Sequence, residues 1–225
     1  MIEFRKASFA YRRDNILTGL DISFEEGSFH FLTGPSGAGK TTFLRMCYMA
    51  HIPTAGEMRF RGRDVRVFER EEIARHRRTI GVMHQNCVFL DHLTVAENVA
   101  LPLLVAGVMD DARRRDLADL LDWVGLDHQA GARPAELSGG ERQRAALARA
   151  VIVSPDIIIA DEPTGNLDRE MAQKVLMLLA ELNRLGKAVI VATHDLELIR
   201  SAKTMVQARI LRLRGGQLQI AGADL

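Results

Sequence analysis

An α/β fold built on a central parallel sheet is predicted for this chain of 225 residues by three observations. Residues 28–33, 157–160 and 188–193 are short runs too apolar for half-exposed strands, which suits parallel strands covered on both faces. Helical stretches lie between them, one beginning near Lys40 and another running over 141–152. Each apolar run also ends in polar chemistry: a glycine-rich loop, a pair of carboxylates and a histidine. Ligand sites in such sheets gather at the carboxyl ends of strands, so the three endings are expected to converge.

The first ending, Gly34-Pro35-Ser36-Gly37-Ala38-Gly39-Lys40-Thr41, fits the G-x-x-x-x-G-K-[ST] phosphate loop. Its glycines let the backbone curl so that successive N–H groups face a β-phosphate, and the following helix N-terminus adds a favourable dipole. Lys40 is expected at the β- and γ-phosphates, Thr41 at Mg²⁺, and Thr42 near the α-phosphate. A strand before the loop and a helix after it argue against a chance glycine-rich turn.

The second ending is Asp161-Glu162. Two carboxylates at a buried strand end are costly unless a cation or partner compensates them. Asp161 is placed to hold Mg²⁺, and Glu162 to orient and deprotonate an attacking water. The third ending is Thr193-His194-Asp195. A lone histidine there would be structural; its convergence with a phosphate loop and an acid pair favours His194 contacting the γ-phosphate and positioning Glu162.

Leu137-Ser138-Gly139-Gly140-Glu141 opens a further helix and forms a second anion-binding N-terminus. One nucleotide does not need two phosphate cradles from one chain, so Ser138, Gly139 and Gly140 are expected to serve the nucleotide of a second subunit. An ordinary capped helix, with Arg142, Arg144 and Arg149 as solvated charges, is the alternative. It suits the arginines but leaves the paired glycines unexplained.

Composition bounds the function. Hydrophobic residues at 47% and charged residues at 26% are ordinary for a globular protein, and the length suits one substantial core. A formal net charge of +1 gives no field for nucleic acid or an anionic membrane. Arg113, Arg114 and Arg115, flanked by Asp111 and Asp116, read as a solvated helix face. Cys47 and Cys87 lack metal-like spacing, so reduced thiols are expected. The N-terminus alternates like a strand rather than a signal peptide, and no apolar run approaches the ~18 residues needed to span a bilayer.

A single domain is expected over 1–225. Residues 1–27 alternate as strands of a small antiparallel sheet that would bring Tyr11 near the phosphate loop, and 79–83 form a return strand. Residues 86–136 read as an inserted helical subdomain, with helices near 95–104 and 110–124. Leu117, Leu120, Leu121 and Val124 fall at helical spacing and belong to a core. Two short strands are expected around Gly215-Gly216. The run Cys87-Val88-Phe89-Leu90 stands open between a buried turn and an exposed docking patch.

In this order, the motifs resemble the ATP-binding subunits of ABC (ATP-binding cassette) systems, over residue 1 to about 216. The resemblance implies ATP and Mg²⁺ as cofactors, a P-loop ATPase core, an ATP-bound homodimer and an integral membrane subunit as partner. It implies that Tyr11, alone a packing residue, stacks on adenine. Gln85 contacts Mg²⁺ and senses the membrane partner, and Asn166-Leu167-Asp168 crosses the dimer interface with Asp168 near the partner's phosphate loop. His84 departs from the aromatic or apolar residue that commonly precedes this glutamine.

Within the superfamily, Phe31-Leu32-Thr33-Gly34, Asn98-Val99-Ala100-Leu101-Pro102-Leu103, and Ala192-Thr193-His194-Asp195-Leu196 resemble the FtsE cell-division family. The run Asp161 to Asp168 resembles that family too, although its Thr164-Gly165-Asn166-Leu167-Asp168 part is shared with lipoprotein-release and macrolide-export ATPases. The FtsE resemblance implies a membrane partner like FtsX, a place at the cytoplasmic face of the bacterial inner membrane, and mechanical control of peptidoglycan hydrolases. A transport ATPase of the lipoprotein-release or macrolide-export kind stands as the alternative. A soluble cassette acting on DNA or ribosomes is disfavoured by the neutral charge.

Overall fold

Burial on both faces distinguishes the central strands from the rest of the chain. The computed structural model describes residues 1–12 and 14–220; residues 13 and 221–225, part of the expected single domain, lie outside the described residues. The first half runs β1 (Ile2–Tyr11), β2 (Asp14–Phe24), β3 (Phe29–Thr33), α1 (Lys40–Cys47), β4 (Ala55–Phe60), β5 (Arg63–Asp64), α2 (Arg70–Arg77) and β6 (Ile80–Met83). Then come α3 (Val95–Ala106), α4 (Asp111–Trp123), α5 (Gly139–Val151), β7 (Ile157–Asp161), α6 (Arg169–Arg184), β8 (Ala188–Ala192), α7 (Leu196–Lys203), β9 (Ala208–Arg214) and β10 (Gln217–Ile220).

The main sheet has the order β10-β9-β3-β8-β7-β6, parallel except for the β9–β10 hairpin. Every position of β3, β7 and β8 is buried. Alternate residues feed two cores, as the two-residue period of a strand requires. Phe29, Phe31, Ile158, Ala160, Val189 and Val191 join the apolar faces of α5, α6 and α7. Leu32, Ile157, Ile159, Ile190 and Leu211 join α1 and the second sheet. His30 shares that second face. It is 1% exposed, lies edge-on to Phe24 at 4.7 Å, and neither ring nitrogen finds a hydrogen-bond partner. Burial, with a smaller contribution from the charge of Arg209, lowers its pKa to about 4.

The register of the sheet sets the position of the site. Leu32 and Asp161 both pair with Ala192, and Ala160 pairs with Met83. The segments that follow β3, β7, β8 and β6 therefore leave one edge side by side.

The antiparallel sheet has four strands, β2-β1-β4-β5. Strands β4 and β5, and helix α2, fall in a stretch where the motifs had marked only a core strand, a helix and a return strand. Helix α2 buries no residue, so its sequence carries almost no apolar period. Helices α3 and α4 pack against α5. Leu121 and Val124 are buried, and Leu117 and Leu120 pack against the same core. The exposed face of α4 carries the Arg113–Asp116 and Arg114–Asp111 pairs at 2.9 and 2.6 Å.

One expectation needs correction, and one open reading is resolved. Arg142, Arg144 and Arg149 are not solvated charges; each is partly buried. The guanidinium groups of Arg142 and Arg149 stand over the Phe89 ring at 5.5 and 4.6 Å, and burial lowers the pKa of Arg149. The Val88-Phe89-Leu90 run also divides in two: Phe89 is 7% exposed within the core, whereas Val88 and Leu90 are 65% and 44% exposed. Asn98, fully buried on α3, holds this segment by accepting from Leu90 N–H at 2.8 Å and donating to Leu90, Leu93 and Thr94 carbonyls.

Candidate active site

The four strand ends open onto a cleft of about 660 Å³, a size suited to a nucleotide-sized ligand. Gly34, Pro35, Ser36, Gly37, Gly39, Lys40, Thr41 and Thr42 line it, facing Gln85, Asp161, Glu162 and His194. Ala38 belongs to the loop, its N–H donating to Pro35 carbonyl at 3.2 Å.

Gly34 follows β3 with φ 149°, and a Cβ there would fall 2.4 Å from the Leu213 carbonyl oxygen, so no side chain fits. Gly39, at φ 99°, opens α1 without any side-chain cap. The first N–H groups of that helix therefore remain available to an anion at the loop. Lys40 Nζ donates to the carbonyls of Gly34 and Pro35 at 2.9 and 3.1 Å, which holds the ammonium over the loop.

Thr41 Oγ1 donates to Asp161 Oδ2 at 2.7 Å across the cleft. Burial raises the Asp161 pKa, the Thr41 bond opposes it, and the Glu162 charge adds to it. A cation between hydroxyl and carboxylate would relieve that desolvation. Among the described residues no group of three or more His, Cys, Asp or Glu side chains could hold a metal by itself. The donors present are hard oxygens that suit Mg²⁺ completed by phosphates and water.

Glu162 has a left-handed backbone, φ 52°, and its N–H donates to Ala192 carbonyl at 2.8 Å. Its Oε1 lies 2.9 Å from His194 Nδ1. Thr193, fully buried, accepts from Asp195 N–H at 3.1 Å, while Asp195 caps α7 through the N–H groups of Glu197 and Leu198. These bonds fix the turn that presents His194.

Three predicted groups lie elsewhere. Tyr11 does not line the cleft; its hydroxyl meets His51 Nε2 at 2.6 Å, and Ile16 of β2 lines the loop side instead. Ser138, Gly139 and Gly140 also stand outside the cleft. Ser138 caps α5 in a reciprocal box, accepting from Glu141 N–H while Glu141 Oε2 accepts from Ser138 N–H and hydroxyl at 2.8 and 2.7 Å. Asp168 caps α6, accepting from Met171 N–H at 2.9 Å. The sequence reading missed Gln143. Its side-chain amide donates to Glu162 carbonyl at 2.7 Å and accepts from Asn166 N–H at 2.9 Å. A polar residue on the buried face of a helix is the one signal that could have marked it.

The family pattern of the ABC transporter matches residues 17–165. The cell-division ATP-binding proteins FtsE of Bacillus subtilis and Escherichia coli are 40% and 42% identical to the chain over 209 and 218 residues. These alignments cover 92% and 96% of the chain and 92% and 98% of those proteins. The chain belongs to the FtsE family of ABC ATPases. A macrolide export ATP-binding/permease protein, MacB of Marinobacter nauticus, is 38% identical over 93% of the chain, but the match spans only 32% of that protein. The FtsE relationship, near full length on both sides, is favoured over the export alternative. The dimeric structure of a bacterial ABC transporter cassette superposes with a TM-score of 0.89 at 34% identity, covering 97% of both chains. A dimeric post-hydrolysis structure of an ATP-binding cassette bound to ADP and Pi gives 0.88 at 32% identity, over 99% of this chain and 100% of that one. As a member of the FtsE family the chain is an ABC-type ATP hydrolase with ATP as its nucleotide.

Proposed function

We propose that the chain is the ATPase of a cell-division complex, docked on an FtsX-like membrane subunit at the cytoplasmic face of the bacterial inner membrane. In this reading ATP-driven dimerisation bends that subunit and so controls peptidoglycan hydrolysis outside. The near full-length similarity to FtsE proteins carries the biological part. No helix among the described residues is long and apolar enough to cross a membrane, so the proposed route to the bilayer is another protein.

The convergence of Lys40, the Thr41–Asp161 pair, Gln85 and the Glu162–His194 pair in one cleft carries the chemical part. The loop N–H groups and Lys40 bind the phosphates. Thr41, Asp161 and Gln85 would hold Mg²⁺, which neutralises charge on the β- and γ-phosphates when bound. Glu162 takes the proton of the attacking water, and His194 orients Glu162 and meets the γ-phosphate. Tyr11, which stands outside the cleft, turns from His51 to stack on adenine. Ser138, Gly139 and Gly140 cradle the γ-phosphate held by the opposite subunit, and Asp168 lies at the same interface.

The test is a pair of variants. Glu162→Gln removes the proton acceptor and leaves the phosphate cradle, so ATP binds while hydrolysis falls by roughly a hundredfold or more. Lys40→Ala weakens ATP binding itself. Nucleotide-binding fluorescence beside phosphate release reads both, and steady hydrolysis by Glu162→Gln would remove the general-base assignment.

A further inference from the structure

Helix α5 starts with the Ser-Gly-Gly cradle and carries Gln143 about one turn further in. This side chain is 3% exposed and uses both ends of its amide on one neighbouring segment. The Glu162 carbonyl requires a donor and the Asn166 N–H requires an acceptor, so only one orientation of the amide satisfies both. Glu162 is thereby fixed on two sides. Its N–H is held by Ala192 of β8, its carbonyl by Gln143, and its left-handed backbone persists only where the surroundings hold it. The contact between α5 and this loop is close: a Cβ on Gly140 would stand 3.3 Å from the Asn166 carbonyl oxygen.

We propose that Gln143 is a positioning residue that makes the hydrolytic competence of one ATP site depend on engagement of the other. The inference rests on the reading above, in which Glu162 serves the chain's own ATP and Ser138 to Gly140 serve the opposite subunit's. Movement of α5 onto the opposite ATP is carried through Gln143 to the backbone of Glu162 and to the Asn166 loop. Glu162 then reaches its working position only when α5 is seated. No covalent step is added; the amide sets where the carboxylate points.

Gln143→Met keeps the length of the side chain and loses both strong hydrogen bonds, so it is the informative substitution. Steady-state hydrolysis by the full chain across ATP concentrations is expected to show kcat reduced roughly tenfold or more with KM within about twofold. The Hill coefficient should fall towards one and ATP binding should stay near wild type, while the melting temperature falls by only a few degrees for the two lost hydrogen bonds. A Glu162→Gln/Gln143→Met double variant should hydrolyse no more slowly than Glu162→Gln alone, because the second change acts through the first.

Gln143→Glu supplies a second reading: it retains the acceptor for Asn166, loses the donor to Glu162, and should also lose kcat. Wild-type kcat and cooperativity in Gln143→Met, with Glu162→Gln inactive, would overturn the coupling and leave the general base standing. Active Glu162→Gln would remove the base itself, a separately visible failure. Activity lost only in proportion to folded protein, in both Gln143 variants, would reduce Gln143 to core packing and also overturn the proposal.

Discussion

Phe89 and its two exposed neighbours divide what one short run of sequence left open. The ring of Phe89 lies in the core under the guanidinium groups of Arg142 and Arg149, so its removal leaves a cavity beside charges already drawn out of water. Phe89→Ser is expected to cost about 3–5 kcal/mol, in the range for large core truncations, and to lower the denaturation midpoint sharply. Val88 and Leu90 point outwards from the same segment, which Asn98 holds in place. Val88→Ser with Leu90→Ser should leave melting and ATP binding unchanged while releasing the protein from membranes that contain its partner. Unchanged membrane association in that double variant would exclude this surface from docking. Sequence alone could not separate the three side chains, because four apolar residues in a row carry no period. Gln143 escaped notice for a related reason. It serves backbone groups outside its own helix, and no local pattern announces such partners.

Among the elements, the parallel strands were legible because burial on both faces removes polar residues from every position, and because each ends in a recognisable motif. Strand β5 has two residues and α2 has no buried side chain, so neither leaves a comparable trace. Strand β3 carries one departure from its own pattern, His30, with a consequence for pH. Its folded pKa of about 4 lies below the ordinary value near 6.5, so the unfolded chain binds the proton more readily. Stability is therefore full above about pH 6.5, falls as pH drops towards 4, and is flat in this respect below that. The loss across the window is about 3 kcal/mol. Urea unfolding at pH 7.5 and 5 should show about 2 kcal/mol of this drop in the wild type and a clearly smaller loss in His30→Leu. Equal slopes in the two proteins would mean that His30 is not the group responsible.

At the scale of the molecule, the two sheets and their helices bring Lys40, Thr41, Asp161, Glu162 and His194 to one edge, while the end of α5 that bears Ser138 stays outside that cleft. A similar cassette is solved as a dimer, and under the proposed function this separation leaves the Ser138 end for a second copy. With Glu162→Gln to prevent turnover, light scattering should report an ATP-dependent dimer that Ser138→Arg abolishes. Two proteins equally monomeric with ATP, even beside the membrane subunit, would count against the shared site. The exclusion of the Ser138 cradle from its own cleft has a kinetic meaning as well. Under the proposed sharing of the site a single copy is half an enzyme, so in dilute solution the rate should rise with the square of protein concentration, and specific activity should climb on concentration until the dimer saturates. Confinement on the proposed membrane partner would then act as the on-switch, by raising the encounter frequency of two copies, and copies away from it would waste little ATP.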